Sequence, residues 1–199
     1  MFMFNSLIVF LLYYKNHYIK YNKLYILYIV TNYNRRYNNI LRFLSQKLKT
    51  NLFINYFGLT KVPLIFYCRP KVVDISSESV TLKIPLLRRN KNHVGSMYIG
   101  VLAVGADLSS AILALNLIKK SKTKIIPIFK DLKADFLKRA EGDVHFVCSE
   151  GKKIDSMIKE VINKKTRVNK LINVVAYVPD KLGDDPVAKF SLTLSIKAQ

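Results

Sequence analysis

The sequence predicts an α+β fold in which a curved antiparallel sheet wraps one long central helix. Three observations lead there. Val94–Ile118 is long, apolar and rich in small residues, with Asp107 as its single charge. A helix that is apolar on every side has to be enclosed rather than laid on a surface. The segments flanking it read mostly as strands, and short polar turns join neighbouring strands, as antiparallel pairing requires.

Residues 1–40 stand apart. Their apolar clusters, Leu7–Tyr14 and Leu24–Val30, are split by Lys15, Lys20 and Lys23. Each falls short of the ~20 apolar residues that span a bilayer. No charged region precedes the first and no small-residue cleavage site follows the second. We read 1–40 as a low-complexity hydrophobic and basic arm, poorly ordered, in preference to a signal or membrane anchor. Residues 41–199 read as a single domain.

From Asn39 onward, Ile40, Phe43, Leu44, Leu48, Leu52 and Phe53 recur at helical spacing, predicting a helix with one apolar face that ends at Phe57-Gly58. Val62–Tyr67 is apolar and β-branched and reads as extended. Lys71–Ile75 and Ser79–Leu86 predict a hairpin around the polar turn Asp74–Ser79. Arg88–His93 is a basic loop. The long helix follows, closed by Lys119, Lys120 and Lys122, which suit its C-terminal dipole. Lys124–Phe136 is extended around Pro127, and Asp143–Ser149 is a short strand. Ile154, Met157, Ile158, Val161 and Ile162 share a helical face, although this segment could instead join the strands beside it. Arg167–Val178 and Val187–Ala198 are strands joined by a turn at Pro179–Pro186.

The chain has 199 residues, half of them hydrophobic, enough for one core. Its net charge of +20 points to nucleic acid, an anionic membrane or a phosphorylated ligand. Residues 1–73 hold eleven Lys or Arg and no acid, so much of the excess lies upstream of the globular part. That distribution, with the buried-looking central helix, argues against a nucleic-acid partner. Cys68 and Cys148 sit in apolar runs without metal-ligand or CxxC spacing, which predicts buried reduced thiols, a reducing cytoplasmic setting and no metal site. P-loop, dinucleotide, zinc and GxSxG patterns are absent.

The chemistry concentrates before and within the central helix. Asp107 lies among Val104, Gly105, Ala106 and Leu108, where a carboxylate is costly unless paired or used. Gly95 permits close backbone approach, Ser96 is placed to cap the helix, and Asn90, Asn92 and His93 occupy the adjoining loop. Free N–H groups at such a helix start can hold an oxyanion. The bland alternatives are an ordinary loop and cap, and for Asp107 a polar contact across a subunit interface. His145 reads as a packed core residue, and His17 belongs to the arm.

The string RNKNHVGSMYIGVLAVGAD, from Arg89 to Asp107, resembles the central-helix signature of the hotdog-fold acyl-CoA thioesterase superfamily. It is most similar to a branch known mainly as a domain of unknown function. FKDLKADFLKRAEGDVHFVC (129–148) and VAKFSLTLSIK (187–197) resemble the same branch, so the likeness covers about residues 55–199. The resemblance implies a hotdog fold and hydrolysis of an acyl-CoA thioester to free acid and CoA. It implies Asp107 and His93 as catalytic residues, and Asn90, Asn92, Gly95, Ser96 and Gly100 as substrate-binding residues. It implies no cofactor beyond the coenzyme A carried by the substrate, and a homodimer or dimer of dimers with sites at the subunit interface. Arg88, Arg89, Lys130, Lys133, Lys138 and Arg139 are candidates for a basic rim facing the CoA phosphates. The family's His-Gly-Gly triplet is broken here. If Gly95-Ser96 stands for the glycine pair, Asp107 lies too far along; if Ile99-Gly100 does, Asp107 is in register but Tyr98 holds the histidine position. The broken triplet supports an alternative, a non-catalytic acyl-CoA or fatty-acyl binding module.

Overall fold

The computed structural model describes residues 45–199; the predicted arm, with Ile40, Phe43 and Leu44 of the first helix, lies outside them. Helix α1 (Gln46–Thr60) starts where the Ser45 hydroxyl accepts a hydrogen bond from the Leu48 N–H at 3.3 Å. It buries Ile54 and Gly58, while Leu48, Leu52 and Phe53 of the predicted apolar face are exposed. The reason is position. Helix α1 runs beside the sheet edge and touches it through Asn51, whose amide pairs with both the N–H (2.8 Å) and the C=O (3.3 Å) of Val72.

Val62–Tyr67, expected extended, instead supplies the N-cap Val62 and nearly all of helix α2 (Pro63–Cys68). Pro63 at the first helical position fixes φ for a helix and needs no N–H partner there, which overrides the β-branched composition. Strands β1 (Lys71–Ile75) and β2 (Val80–Ile84) form the expected hairpin, with Val80, Leu82 and Ile84 buried and Thr81 and Lys83 turned outward. After a short 3₁₀ turn at Arg88–Asn90 comes helix α3 (Ile99–Ser121), which begins five residues later than the apolar run does. Then follow β3 (Ile125–Phe136), β4 (Val144–Cys148), α4 (Gly151–Lys164), β5 (Val168–Tyr177), a helical turn α5 (Pro179–Leu182) and β6 (Pro186–Ala198).

The six strands form one antiparallel sheet in the order β1-β2-β4-β5-β6-β3. Helix α3 packs against β2, β3, β4 and β5, and α4 lies against α3, β5 and β6. This is the hotdog arrangement. By length and composition α3 could cross a membrane, yet 67% of its most apolar stretch is buried inside the domain. Helix and sheet come close at Gly105, where a Cβ would stand 2.6 Å from Cδ2 of the fully buried Phe146 and nearer still to the ring edge beyond it.

The two edges of the sheet differ. At β1 the Asn51 amide occupies the place of a neighbouring strand. At β3 the edge is long and open, and Ile126, Ile128, Leu132 and Phe136 are each more than two-fifths exposed. Pro127 continues this strand because an edge residue needs no outward N–H partner. His145, expected in the core, lies on the outer face of β4 opposite Lys83, since the inward positions of that strand are Val144, Phe146 and Cys148.

Candidate active site

The loop before α3 is built by its own side chains. Asn92 Oδ1 accepts from the N–H groups of Val94 (3.0 Å) and Ser96 (3.1 Å), and its backbone N–H donates to Ser96 O at 2.8 Å. Gly95 takes φ +83°, a left-handed conformation that favours glycine, and its N–H donates to Asn92 O. Arg139, from the β3–β4 connection, clamps the loop: Nε donates to Ser96 Oγ at 3.1 Å and a terminal nitrogen to Val94 O at 2.6 Å. Ser96 therefore holds the loop and does not cap the helix; the N-cap residue is Tyr98, with no side-chain cap bond.

Asn90 is fully buried and knits three segments, donating to Cys68 O (3.1 Å) and Pro85 O (2.8 Å), while its own carbonyl accepts the Tyr98 N–H. Its Oδ1 is buried without a partner among the described residues. His93 is exposed on the loop.

With Tyr98 as cap, the donors at the start of α3 can be assigned. The N–H groups of Val101 and Leu102 return to Tyr98 O, that of Tyr98 goes to Asn90 O, and those of Gly95 and Ser96 are taken by Asn92. This leaves the N–H groups of Ile99 and Gly100 at the helix start, at the positive end of its dipole. Gly100 is in that first turn, where a Cβ would press on the Tyr98 ring.

Asp107 lies two turns further along. Its carboxylate looks into an open cleft of about 390 Å³ lined by Ala103 and Val104 of α3, Phe129, Lys130, Asp131 and Leu132 of β3, and Leu192 of β6. No donor or cation pairs with it among the described residues, and burial raises its pKa above the ordinary carboxylate value. The β3 wall is shaped by a bulge between Phe129 and Leu132, where the Asp131 carboxylate accepts the Thr193 N–H at 2.9 Å in place of a ladder carbonyl. Phe129, Asp131, Leu132 and Leu192 were not singled out from sequence; they gather only through the β3–β6 register.

Within one chain, the structure brings Asn92, Gly95 and Ser96 together with Arg139, and leaves Asp107 in a separate cleft. From Gly100 to Asp107 the helix rises about 10 Å at 1.5 Å per residue. Both thiols are buried and free, and burial pushes Cys148 up to about 11.

The sequence matches the family described as a domain of unknown function, DUF4442, over residues 50–196. Solved structures share the fold. A protein of unknown function and probable thioesterase from Pseudomonas aeruginosa is 19% identical, with a TM-score of 0.63 over 74% of this chain and 95% of that one. A protein of unknown function from Chlorobaculum tepidum is 12% identical, with a TM-score of 0.65 over 77% and 97%. A thioesterase from Haemophilus influenzae is 13% identical, with a TM-score of 0.54 over 72% and 89%. No curated protein matches the sequence.

Proposed function

This chain belongs to the DUF4442 family, and from that premise we propose that it is a thioesterase that hydrolyses acyl-CoA thioesters, with Asp107 as its catalytic carboxylate. The observation that carries the reading is the unpaired, half-buried carboxylate of Asp107 facing a cleft beside the open β3 edge. A carboxylate with a raised pKa is the stronger base. It takes a proton from a water whose oxygen attacks the thioester carbonyl. The C–O bond forms, the C–S bond breaks, and the proton passes to the leaving CoA thiolate. The oxyanion formed on the way needs donors, and the N–H groups of Ile99 and Gly100 supply them.

One chain cannot do both at one carbonyl, because its donors and its carboxylate are about 10 Å apart along the helix. A second copy paired antiparallel along β3 brings its own α3 to the cleft, so that Asp107 of one protomer works with the helix start of the other. We assign the homodimer on this ground. Lys130 and Lys133, on β3, remain the candidates for the rim that meets the CoA phosphates.

The second reading, a non-catalytic acyl-CoA binding module, is favoured by Tyr98 at the helix cap where the superfamily signature has histidine. The experiment is CoA release from a panel of acyl-CoAs, short to long and aryl, by wild type and Asp107→Asn, with circular dichroism showing both folded. Hydrolysis that collapses in Asp107→Asn supports the thioesterase. Saturable acyl-CoA binding without hydrolysis by the wild type refutes it in favour of the binding module.

A further inference from the structure

Where the chain enters and leaves the β1–β2 hairpin, a second cleft of about 530 Å³ is lined by Tyr67, Arg69, Leu87, Arg88 and Arg89. Three arginines line it and none pairs with a carboxylate among the described residues. The rest of the chain cannot neutralise them either, since residues 1–44 contain no acid. Arg89 stands over the Tyr67 ring at 5.1 Å and donates to Tyr67 O at 3.4 Å, which ties the cleft to helix α2.

Helix α2 is itself an exposed apolar surface. Leu64, Phe66 and Tyr67 are each more than two-fifths exposed, with Leu59 at the end of α1 and Val62 on the connection also exposed. The two helices meet so closely that a Cβ on Gly58 would stand 2.8 Å from the Phe66 backbone nitrogen. These residues are therefore held on a rigid corner and are not the frayed end of a helix. Burying such side chains in water-facing positions brings no gain unless something apolar covers them.

The covering surface has to be apolar just below a layer of negative charge. A second copy docked corner to corner does not fit, because it would set the same three unpaired arginines against Arg69, Arg88 and Arg89. Residues 1–44 hold six Lys or Arg and no carboxylate, so their composition offers nothing to pair with the arginines. A phosphodiester backbone would satisfy the guanidiniums and leave Leu59, Val62, Leu64 and Phe66 wet. A bilayer of anionic phospholipid satisfies both: its phosphates meet Arg69, Arg88 and Arg89, and its acyl boundary takes the leucine and aromatic side chains.

We propose that the α2 corner and the adjoining Arg69–Arg88–Arg89 cleft form a peripheral docking surface for an anionic phospholipid membrane. The surface is separate from the Asp107 cleft and stands whether or not the domain hydrolyses thioesters.

The chain has no tryptophan, so a single one reports on this corner alone. Full-length Leu64→Trp is mixed with phosphatidylcholine vesicles with and without phosphatidylglycerol, and with the same vesicles carrying brominated acyl chains. Lys152→Trp, on exposed α4, is the control. The expected result is a blue shift and bromine quenching for Leu64→Trp on anionic vesicles only, lost in high salt, and neither for the control. Replacing Arg69 and Arg88 by glutamine should weaken vesicle partitioning about fivefold for each arginine removed, with an unchanged melting temperature showing the fold intact. Vesicle binding without quenching of Leu64→Trp would mean that another part of the chain holds the membrane, and overturns the proposal. Equal partitioning of the glutamine variant overturns it too. So does absence of vesicle binding, whether or not free phosphate, CoA or a single-stranded oligonucleotide binds instead.

Discussion

Gly105→Ala tests the packing that aims Asp107. In an exposed helix this change stabilises by about 1 kcal/mol through helix propensity. Here the new methyl would meet three atoms of the Phe146 ring, one at 2.6 Å and two nearer, all below the separation that Cβ atoms tolerate. The ring cannot simply retreat. Phe146 is fully buried and leans on Phe190, 6.4 Å away, which in turn meets Phe136 edge-on at 6.1 Å. Overpacking of a dense core costs about 1–3 kcal/mol, and contact with three ring atoms puts this case at the upper end. The net expectation is a loss of about 2 kcal/mol after the propensity gain. For a domain of this size that is a fall in melting temperature of roughly 4–8 °C.

The assay is thermal and urea unfolding of the wild type, Gly105→Ala, Phe146→Leu and the double variant. Phe146→Leu alone leaves a void and destabilises. In the double variant the methyl occupies part of that void, so the two costs should sum to less than their separate values, a coupling of a size double-mutant cycles resolve. A melting temperature that rises in Gly105→Ala, or costs that simply add, would refute the contact between this helix turn and β4.

Asp107→Asn should also change stability with pH. Burial raises the folded pKa of Asp107, so the group favours folding below the ordinary carboxylate pKa, and that contribution is lost as pH rises through the raised value. The variant should therefore be more stable than the wild type at neutral pH, with the difference shrinking toward pH 4 in urea titrations; a constant difference across the range would contradict it. Ile128→Lys, on the exposed edge of β3, should leave a folded monomer by sedimentation and lose acyl-CoA hydrolysis, because pairing along that edge is blocked. A dimer that survives the substitution would place the interface elsewhere.

Most of the fold was legible because its signals are local. The alternation Val80-Leu82-Ile84 gives β2 its buried face, and one charge in a long apolar run gives an enclosed helix. Three features misled. Val62–Tyr67 has strand composition, but Pro63 at a helix start outweighs it. Leu48, Leu52 and Phe53 have helical spacing, yet α1 lies at an edge, so periodicity predicted the helix and missed which side is covered. His145 sits in an apolar run but on its outward register. Helices α2, α3 and α4 end at left-handed Arg69, Lys122 and Lys165, where glycine is the usual signal. The partly buried setting of Asp107 was legible because a lone carboxylate in an apolar helix is costly. The cleft it faces was not, because Phe129, Asp131 and Leu192 meet only through the pairing of strands far apart in sequence. The helix start was placed too early, since nothing local indicated that Asn92 would take the N–H groups of Gly95 and Ser96 and leave Tyr98 as the cap.

The two sheet edges and Asp107 point to a single arrangement. An unpaired strand edge is a liability that proteins usually cover or blunt. This chain covers β1, using the Asn51 amide as a surrogate strand. Among the described residues β3 is bare over twelve residues, with apolar side chains exposed along it and a bulge beside the one half-buried carboxylate that has no partner there. Had the open edge been neutral drift, no functional group need lie next to it. Had Asp107 been a structural polar contact, a donor within its own cleft would be expected, and Lys130 lines that cleft without pairing to it. Edge and carboxylate are both incomplete on the same face, and the proposed homodimer would complete both: a second β3 alongside, bringing a second helix start whose N–H groups of Ile99 and Gly100 have no partner among the described residues. On this reading the energetic cost of holding Asp107 unpaired is a property of the lone protomer, and it is offset where the assembled cleft puts the carboxylate to use.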